Sequence, residues 1–190
     1  RAPEQTAEAF DEQGFYRSGD ALKLADPHQP QLGLMFDGRI AEDFKLSSGV
    51  FVSVGPLRNR AVLEGSPYVQ DLVITAPDRE CLGALVFPRL YECRRLAGLN
   101  ADASDAEVLE SAPVRQWFFD WLQRLNRVAT GNASRLEWIA LLDEPASIDR
   151  GEITDKGSIN QRAVLQWRAA RVEALYRGED ATILRAGPKP

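Results

Sequence analysis

The sequence predicts an α+β domain of small sheets flanked by helices, on three observations. Apolar, β-branched runs at residues 68–75, 81–87 and 136–142 read as core strands. Between residues 113 and 129, Val114, Trp117, Phe118, Trp121, Leu122, Leu125 and Val128 recur at helical spacing and mark an amphipathic helix. Strands and helices are mixed rather than strictly alternating, which is the α+β pattern.

From the N-terminus, residues 1–13 are polar and Ala/Glu-rich and read as a tail or the end of an earlier element. Residues 14–20 place aromatic side chains beside glycine, as in a short strand that ends in a tight turn. Residues 21–24 (ALKL) read as a strand, and Pro27 and Pro30 make 26–31 a loop. A short strand over 33–36 then meets Asp37-Gly38, a hairpin-type turn. Residues 44–46 and 50–52 flank Ser47-Ser48-Gly49 as two short β-runs joined by a turn. Gly55-Pro56 opens a helix through Leu63, because proline suits a first turn. Ala76-Pro77-Asp78-Arg79 separates the first two core strands.

Residues 91–112 carry an Asp/Ala/Ser cluster and read as a surface excursion. Pro113 suits the start of the amphipathic helix and Gly131-Asn132 its end. Residues 144–157 form a Pro/Gly-punctuated loop. A last long helix runs from Ser158 to Arg177 with Leu165, Ala169, Val172 and Tyr176 on one face, and Gly178 stops it. The expected core holds Leu72, Ile74, Leu85, Val86, Phe118, Trp121, Leu125, Leu141 and Val172.

Composition excludes several functions. The chain has 190 residues with 23 Lys plus Arg against 28 Asp plus Glu, a net charge of −5. That balance lacks the basic face by which nucleic-acid binders displace phosphate counterions. No stretch approaches the roughly 18 apolar residues of a membrane-spanning helix. Two cysteines, Cys81 and Cys93, are too few for a disulfide scaffold or a four-cysteine zinc site, and both read as buried or inert thiols. A single histidine, His28 in a Pro-bounded loop, argues against a His-rich metal site or a Ser-His-Asp triad. The opening RAPEQTAEAF has no basic segment followed by an apolar core, so a cytoplasmic location is expected.

Polar segments remain that core building does not explain. Asp20 follows a glycine turn, where a carboxylate can accept two hydrogen bonds from a vicinal diol or satisfy its own turn. Arg39, after Asp37-Gly38, can grip phosphate or ribose oxygens or pair with an acid such as Glu42. Ser47-Ser48-Gly49 offers exposed amides to a narrow ligand, or is a plain hairpin connection. Lys156 sits in a Gly-flanked loop, Gly151-Glu152-Ile153-Thr154-Asp155-Lys156-Gly157. It can bring one positive charge to an anionic reaction centre or stay solvated.

Taken in order, GFYRSGD (14–20), FDGRIAEDFKLSSG (36–49), VSVGPLR (52–58), YVQDLVI (68–74) and GEITDKGSINQR (151–162) resemble the C-terminal part of adenylate-forming enzymes. That superfamily holds acyl-CoA synthetases, firefly luciferase and nonribosomal peptide adenylation domains. FKLSSG is similar to the long-chain acyl-CoA and carboxylic-acid-reductase branch. GRIAEDFKLSSG with GEITDKGSINQRAVLQ is most similar to bacterial feruloyl-CoA synthases. The resemblance implies a ligase that joins a carboxylate to ATP, releasing pyrophosphate, and then transfers the acyl group to the coenzyme A thiol, releasing AMP.

It also implies roles. Asp20 would bind the ribose hydroxyls, Arg39 ribose or phosphate oxygens, and Lys156 the carboxylate and α-phosphate region. Ser47, Ser48 and Gly49 would face the pantetheine channel. The C-terminal domain of the family rotates between the half-reactions about a hinge two residues after the motif arginine; that position is Ala41, followed by Glu42 and Asp43. Residues 1–38 would end the large N-terminal domain and lead to the hinge, and 39–190 would be the mobile lid.

The family's phosphate-binding loop and acyl pocket have no counterpart in these residues. The chain therefore reads as a lid without turnover of its own, whose partner is the missing N-terminal adenylation domain. ATP and Mg2+ would be held with that domain, with coenzyme A as co-substrate, an aromatic carboxylic acid as substrate and no metal site in this chain. Two alternatives are a non-catalytic docking module and the same lid on a long-chain fatty acyl-CoA ligase. A phosphate-loop segment encoded upstream of Arg1 would separate the ligases from the module.

Overall fold

The computed structural model describes residues 3–179 and 182–187, apart from the side chain of Gln5. A short helix, α1 (Pro3–Glu8), stands where a tail or the end of an earlier element was expected. In residues 14–20 the expected strand reduces to one bridge between Phe10 and Tyr16. An antiparallel hairpin follows, β1 (Asp20–Leu24) on β2 (Leu34–Arg39). Asp37-Gly38 therefore lies inside a strand and is not a turn. Gly38 is there for a different reason: at φ +117° its bare Cα lies against Gly55.

A 3-10 turn, Ile40–Glu42, leads to the expected miniature pair β3 (Phe44–Lys45) and β4 (Phe51–Val52). Helix α2 (Val54–Glu64) comes next. Asp43 accepts its first amide, Val54 N–H, at 2.9 Å, the bond a capping side chain supplies.

The core is one four-stranded sheet in the order β5 (Val69–Thr75), β6 (Leu82–Pro88), β7 (Leu136–Leu141), β8 (Ile183–Arg185). β5–β6 and β7–β8 are antiparallel, and β6–β7 is parallel. A parallel pair needs a crossover, and residues 90–127 supply it. The surface excursion expected there is instead two helices, α3 (Leu90–Ala97) and α4 (Asp105–Glu110), followed by α5 (Ala112–Arg127). Cys93, Val108 and Leu109 are buried beneath them.

Side chains on a strand alternate between faces, and the sheet is covered on both. Leu72, Ile74, Val86, Ile139 and Leu141 join the core that includes Phe118, Trp121 and Leu125 of α5. Val73, Leu85, Phe87, Ala140 and Leu142 pack with Val164 and Leu175 on the other side. Those two residues belong to α6 (Gln161–Trp167) and α7 (Ala169–Arg177), the last expected helix broken at Arg168. Of the expected core, only Val172 is partly exposed; Val128 is outside α5 and exposed.

Candidate functional site

β1 and β2 pair so that Asp20 stands opposite Arg39. The ladder closes with Ile40 N–H donating to Gly19 O at 2.9 Å, and Asp20 N–H donates to Ser18 Oγ at 3.2 Å. Two residues 19 positions apart are thus side by side at the open end of the hairpin. Arg39 lines a cleft of about 160 Å³ with Glu42, Gly55, Arg58, Ser158 and Ile159. That volume is below the ~300–1,000 Å³ of an ordinary small-molecule site, so the cleft can form one wall of a larger site.

Ser158 and Ile159 belong to the turn that carries Lys156. Ile153 bridges Ile159, Thr154 N–H donates to Ser158 O at 2.9 Å, and Gly157 N–H donates to Thr154 O at 2.8 Å. Lys156 is exposed at the tip, two residues from the cleft lining. The root of the turn is fixed more deeply. Glu152 is fully buried, and its carboxylate accepts Arg168 Nε at 2.8 Å and Nη2 at 2.9 Å. Hydrogen bonds from Arg168 hold this carboxyl below the usual glutamate range against the opposing effect of burial, and Ser147 N–H adds to the lowering.

Ala41, Glu42 and Asp43 line a second cleft, of about 290 Å³, with Phe44, Pro77, Gln161, Arg162 and Leu165. Gln161 Nε2 donates to Glu42 O at 3.3 Å, tying the start of α6 to this segment. Behind it, Arg58 grips Asp71 in a fork at 2.8 and 2.5 Å. Burial would lower the Arg58 pKa, but Asp71 and the charge of Glu42 outweigh it and the net direction is up.

The Ser47-Ser48-Gly49 turn lines neither cleft. Ser47 N–H donates to Arg79 O at 2.9 Å, and Gly49 adopts φ +80° in open space. Gly49 is required there by its backbone conformation, and its surface is free to receive a narrow group. The structure therefore pairs Asp20 with Arg39, brings Arg39 to Ser158 and Ile159 of the Lys156 turn, and leaves 47–49 outside that cleft. Sequence reasoning missed Glu152 as a buried group and Arg168 and Gln161 altogether. The one available signal was an arginine falling at position 168 between Leu165 and Val172 on an otherwise apolar face.

Residues 46–180 match the family model described as AMP-binding enzyme C-terminal domain. The chain belongs to that family. Its C-terminal-domain fold agrees with solved relatives. The A domain of carboxylic acid reductase from Segniliparus rugosus, solved with AMP and a co-purified carboxylic acid, superposes with a TM-score of 0.68 at 27% identity. That match covers 94% of this chain and 26% of the other.

In sequence, this AMP-binding C-terminal domain is 29% identical over 178 residues to the carboxylic acid reductase of S. rugosus, covering 93% of this chain and 14% of the reductase. It is 25% identical over 178 residues to long-chain-fatty-acid–CoA ligase 1 of Schizosaccharomyces pombe, covering 90% of this chain and 25% of the ligase. The chain thus spans a quarter or less of these two curated relatives.

Among the described residues no helix is long and apolar enough to cross a membrane. Nor do three His, Cys, Asp or Glu side chains among them converge where they could hold a metal ion. No step below is routed through the Mg2+ that the resemblance implies.

Proposed function

We propose that this domain is the mobile lid of an ATP-dependent acid–thiol ligase acting on an aromatic acid such as ferulate. In the first step a carboxylate oxygen attacks the α-phosphorus of ATP and the bond to pyrophosphate breaks. In the second, the thiolate of coenzyme A attacks the acyl carbon and the bond to AMP breaks. One observation carries the reading: Asp20 faces Arg39 across β1–β2, and the turn bearing exposed Lys156 borders the cleft that Arg39 lines.

The roles follow from chemistry. Asp20 accepts hydrogen bonds from the ribose diol, and Arg39 donates to ribose or phosphate oxygens. In step one both reactants are anions, and negative charge grows at the α-phosphate. A cation placed at that point offsets the repulsion where it develops, which is the task of Lys156. Step two needs it less, because AMP is already an activated leaving group. The Ser47-Ser48-Gly49 turn is then the surface presented to the pantetheine arm.

Such a division of labour requires the lid to turn. Ile40 is tied back to Gly19, whereas Glu42 and Asp43 are tied forward to Gln161 and Val54. Ala41 lies where these bonds change direction, inside a 3-10 turn closed by one bond, Asp43 N–H donating to Ile40 O at 3.3 Å. It is the proposed pivot, and turning releases the hairpin from Gly55 so that it moves with the large N-terminal domain. Ten of the eighteen large hydrophobic side chains exposed among the described residues lie between Phe10 and Ile40. An apolar surface so concentrated supports docking of this segment on that domain.

Likeness to a carboxylic acid reductase and to a long-chain fatty acyl ligase supports a second reading, in which the acid is aliphatic or the acyl group goes on to reduction. The residue roles above are unchanged in it. The test uses the full-length enzyme with Lys156→Ala. Adenylate formation from ferulate is expected to fall ~10²–10³-fold, while thioester formation from supplied feruloyl-adenylate survives. Equal loss in both steps overturns the reading. Comparing ferulate with a long-chain fatty acid in pyrophosphate exchange decides the substrate class.

A further inference from the structure

We infer that the buried pair Glu152–Arg168 is a positioning device for Lys156. The inference rests on the reading of Lys156 as the cation of adenylation, and it adds two residues that never meet the nucleotide.

The turn from Thr154 to Ser158 reads Thr-Asp-Lys-Gly-Ser and carries no large apolar side chain. Hydrophobic packing therefore cannot fix where its tip points. A hydrogen-bonded frame does so, and that frame is rooted at Glu152. The Glu152 backbone donates to Ser147 O at 3.0 Å and accepts Asn160 N–H at 2.8 Å, so both legs of the turn are tied at one residue. Its side chain, fully buried, is held by the fork of Arg168 and by Ser147 N–H at 2.8 Å.

Arg168 carries the frame into the domain. Its Nη1 donates to Glu144 O at 3.2 Å and its Nη2 to Pro145 O at 2.8 Å. Its guanidinium carbon lies 5.2 Å from the centre of the Phe87 ring at the end of β6. One side chain thus joins the core sheet, the loop after β7, the junction of α6 and α7, and the root of the lysine turn. A purely stabilising role explains this poorly. Removing two charges from water costs about what their attraction returns, and apolar residues of similar volume serve stability as well. What an apolar pair cannot supply is direction: a planar fork matched to a carboxylate fixes both angle and distance.

The consequence is a loss confined to one half-reaction, because a catalytic group displaced by about 1 Å can lose ~10²-fold in rate. The test uses the full-length enzyme in three forms: Glu152→Gln, the double variant Glu152→Leu/Arg168→Met, and Lys156→Ala. The double variant leaves no unpaired buried charge and is the one expected to keep its fold. Each is assayed for pyrophosphate exchange with ferulate and for thioester formation from supplied feruloyl-adenylate. The double variant is expected to lose roughly 10–100-fold in exchange while its thioester formation stays near wild type, which also certifies the fold; Glu152→Gln is expected to lose at least as much in exchange. Undiminished exchange in the double variant overturns the inference, as does equal loss in both half-reactions. If Lys156→Ala leaves exchange intact, the reading of Lys156 falls first and takes the inference with it; if Lys156→Ala is defective and the double variant is not, the inference falls alone.

Discussion

Gly38 of β2 and Gly55 of α2 meet backbone to backbone: a Cβ on Gly55 would stand 2.4 Å from Gly38 Cα and 2.9 Å from Asp37 O. This is how the hairpin bearing Asp20 and Arg39 docks on the domain. Two effects oppose each other in Gly55→Ala. Helix propensity favours alanine by about 1 kcal/mol, whereas overpacking against rigid backbone costs about 1–3 kcal/mol. The clash wins because neither strand nor helix can yield by rotating a side chain. The hairpin is expected to undock while the sheet core persists. Tryptic cleavage after Lys23 and Arg39 should accelerate with little change in the melting temperature of the core; unchanged cleavage would show that the contact is dispensable.

The register that sets Asp20 against Arg39 makes a second prediction. Hydrogen bonds to charged groups contribute about 1.5–3 kcal/mol each, so Asp20→Ala or Arg39→Ala should raise the KM for ATP roughly 10–100-fold in pyrophosphate exchange by the full-length enzyme. Because the two side chains are adjacent, their effects should not add, and the double variant should lose less than the product of the singles. Full additivity would mean that the two residues do not hold one ligand together.

Much of this arrangement was legible beforehand, for definite reasons. The strands at 69–75, 82–88 and 136–141 are runs of β-branched and apolar residues, and α5 repeats its apolar side chains at helical spacing. What escaped notice was weakly patterned. Helix α3 buries only Cys93, and α4 has six residues, although Ser104 and Glu107 form a capping box visible in the sequence as S-x-x-E. β8 is three residues long. Asp37-Gly38 reads as a turn because that dipeptide favours one, but here glycine serves close approach. The burial of Glu152 leaves no local mark in the sequence, because its partner lies 16 residues away, on the far side of a loop and a helix.

The two thiols should differ sharply in reactivity. Cys93 lies buried beneath α4 and α5, and burial followed by the nearby charge of Glu92 pushes its pKa up to about 12. Cys81 is half-buried, and burial with the charge of Glu137 also moves its pKa upward. Reaction needs the thiolate and access to it. With an aromatic disulfide reagent at neutral pH, one thiol is expected to react slowly in the native chain and the second only on adding denaturant. Two thiols released at comparable rates without denaturant would contradict the buried position of Cys93.

Acid should weaken the domain through Glu152, and the direction follows from linkage. Arg168 and Ser147 hold the folded-state pKa of Glu152 below the roughly 4.3 of an ordinary glutamate. A group whose pKa is lowered by folding contributes stability fully above its unfolded value. That contribution is lost as the pH falls through the folded value. Glu107, lowered by its bonds to Ser104, acts with the same sign, so the wild-type profile alone does not identify the source. The difference between wild type and Glu152→Gln does. At neutral pH the variant leaves Arg168 buried beside a neutral amide, a loss of about 3–5 kcal/mol by the usual cost of breaking a buried pair. Once the wild-type carboxyl is protonated, both proteins present a neutral group to the same guanidinium. The gap between their urea midpoints should therefore be constant from pH 7 to about 5 and close progressively below roughly pH 4.3. A gap that holds its neutral-pH width down to the acid-unfolded state would mean that the pair is not what Glu152 contributes.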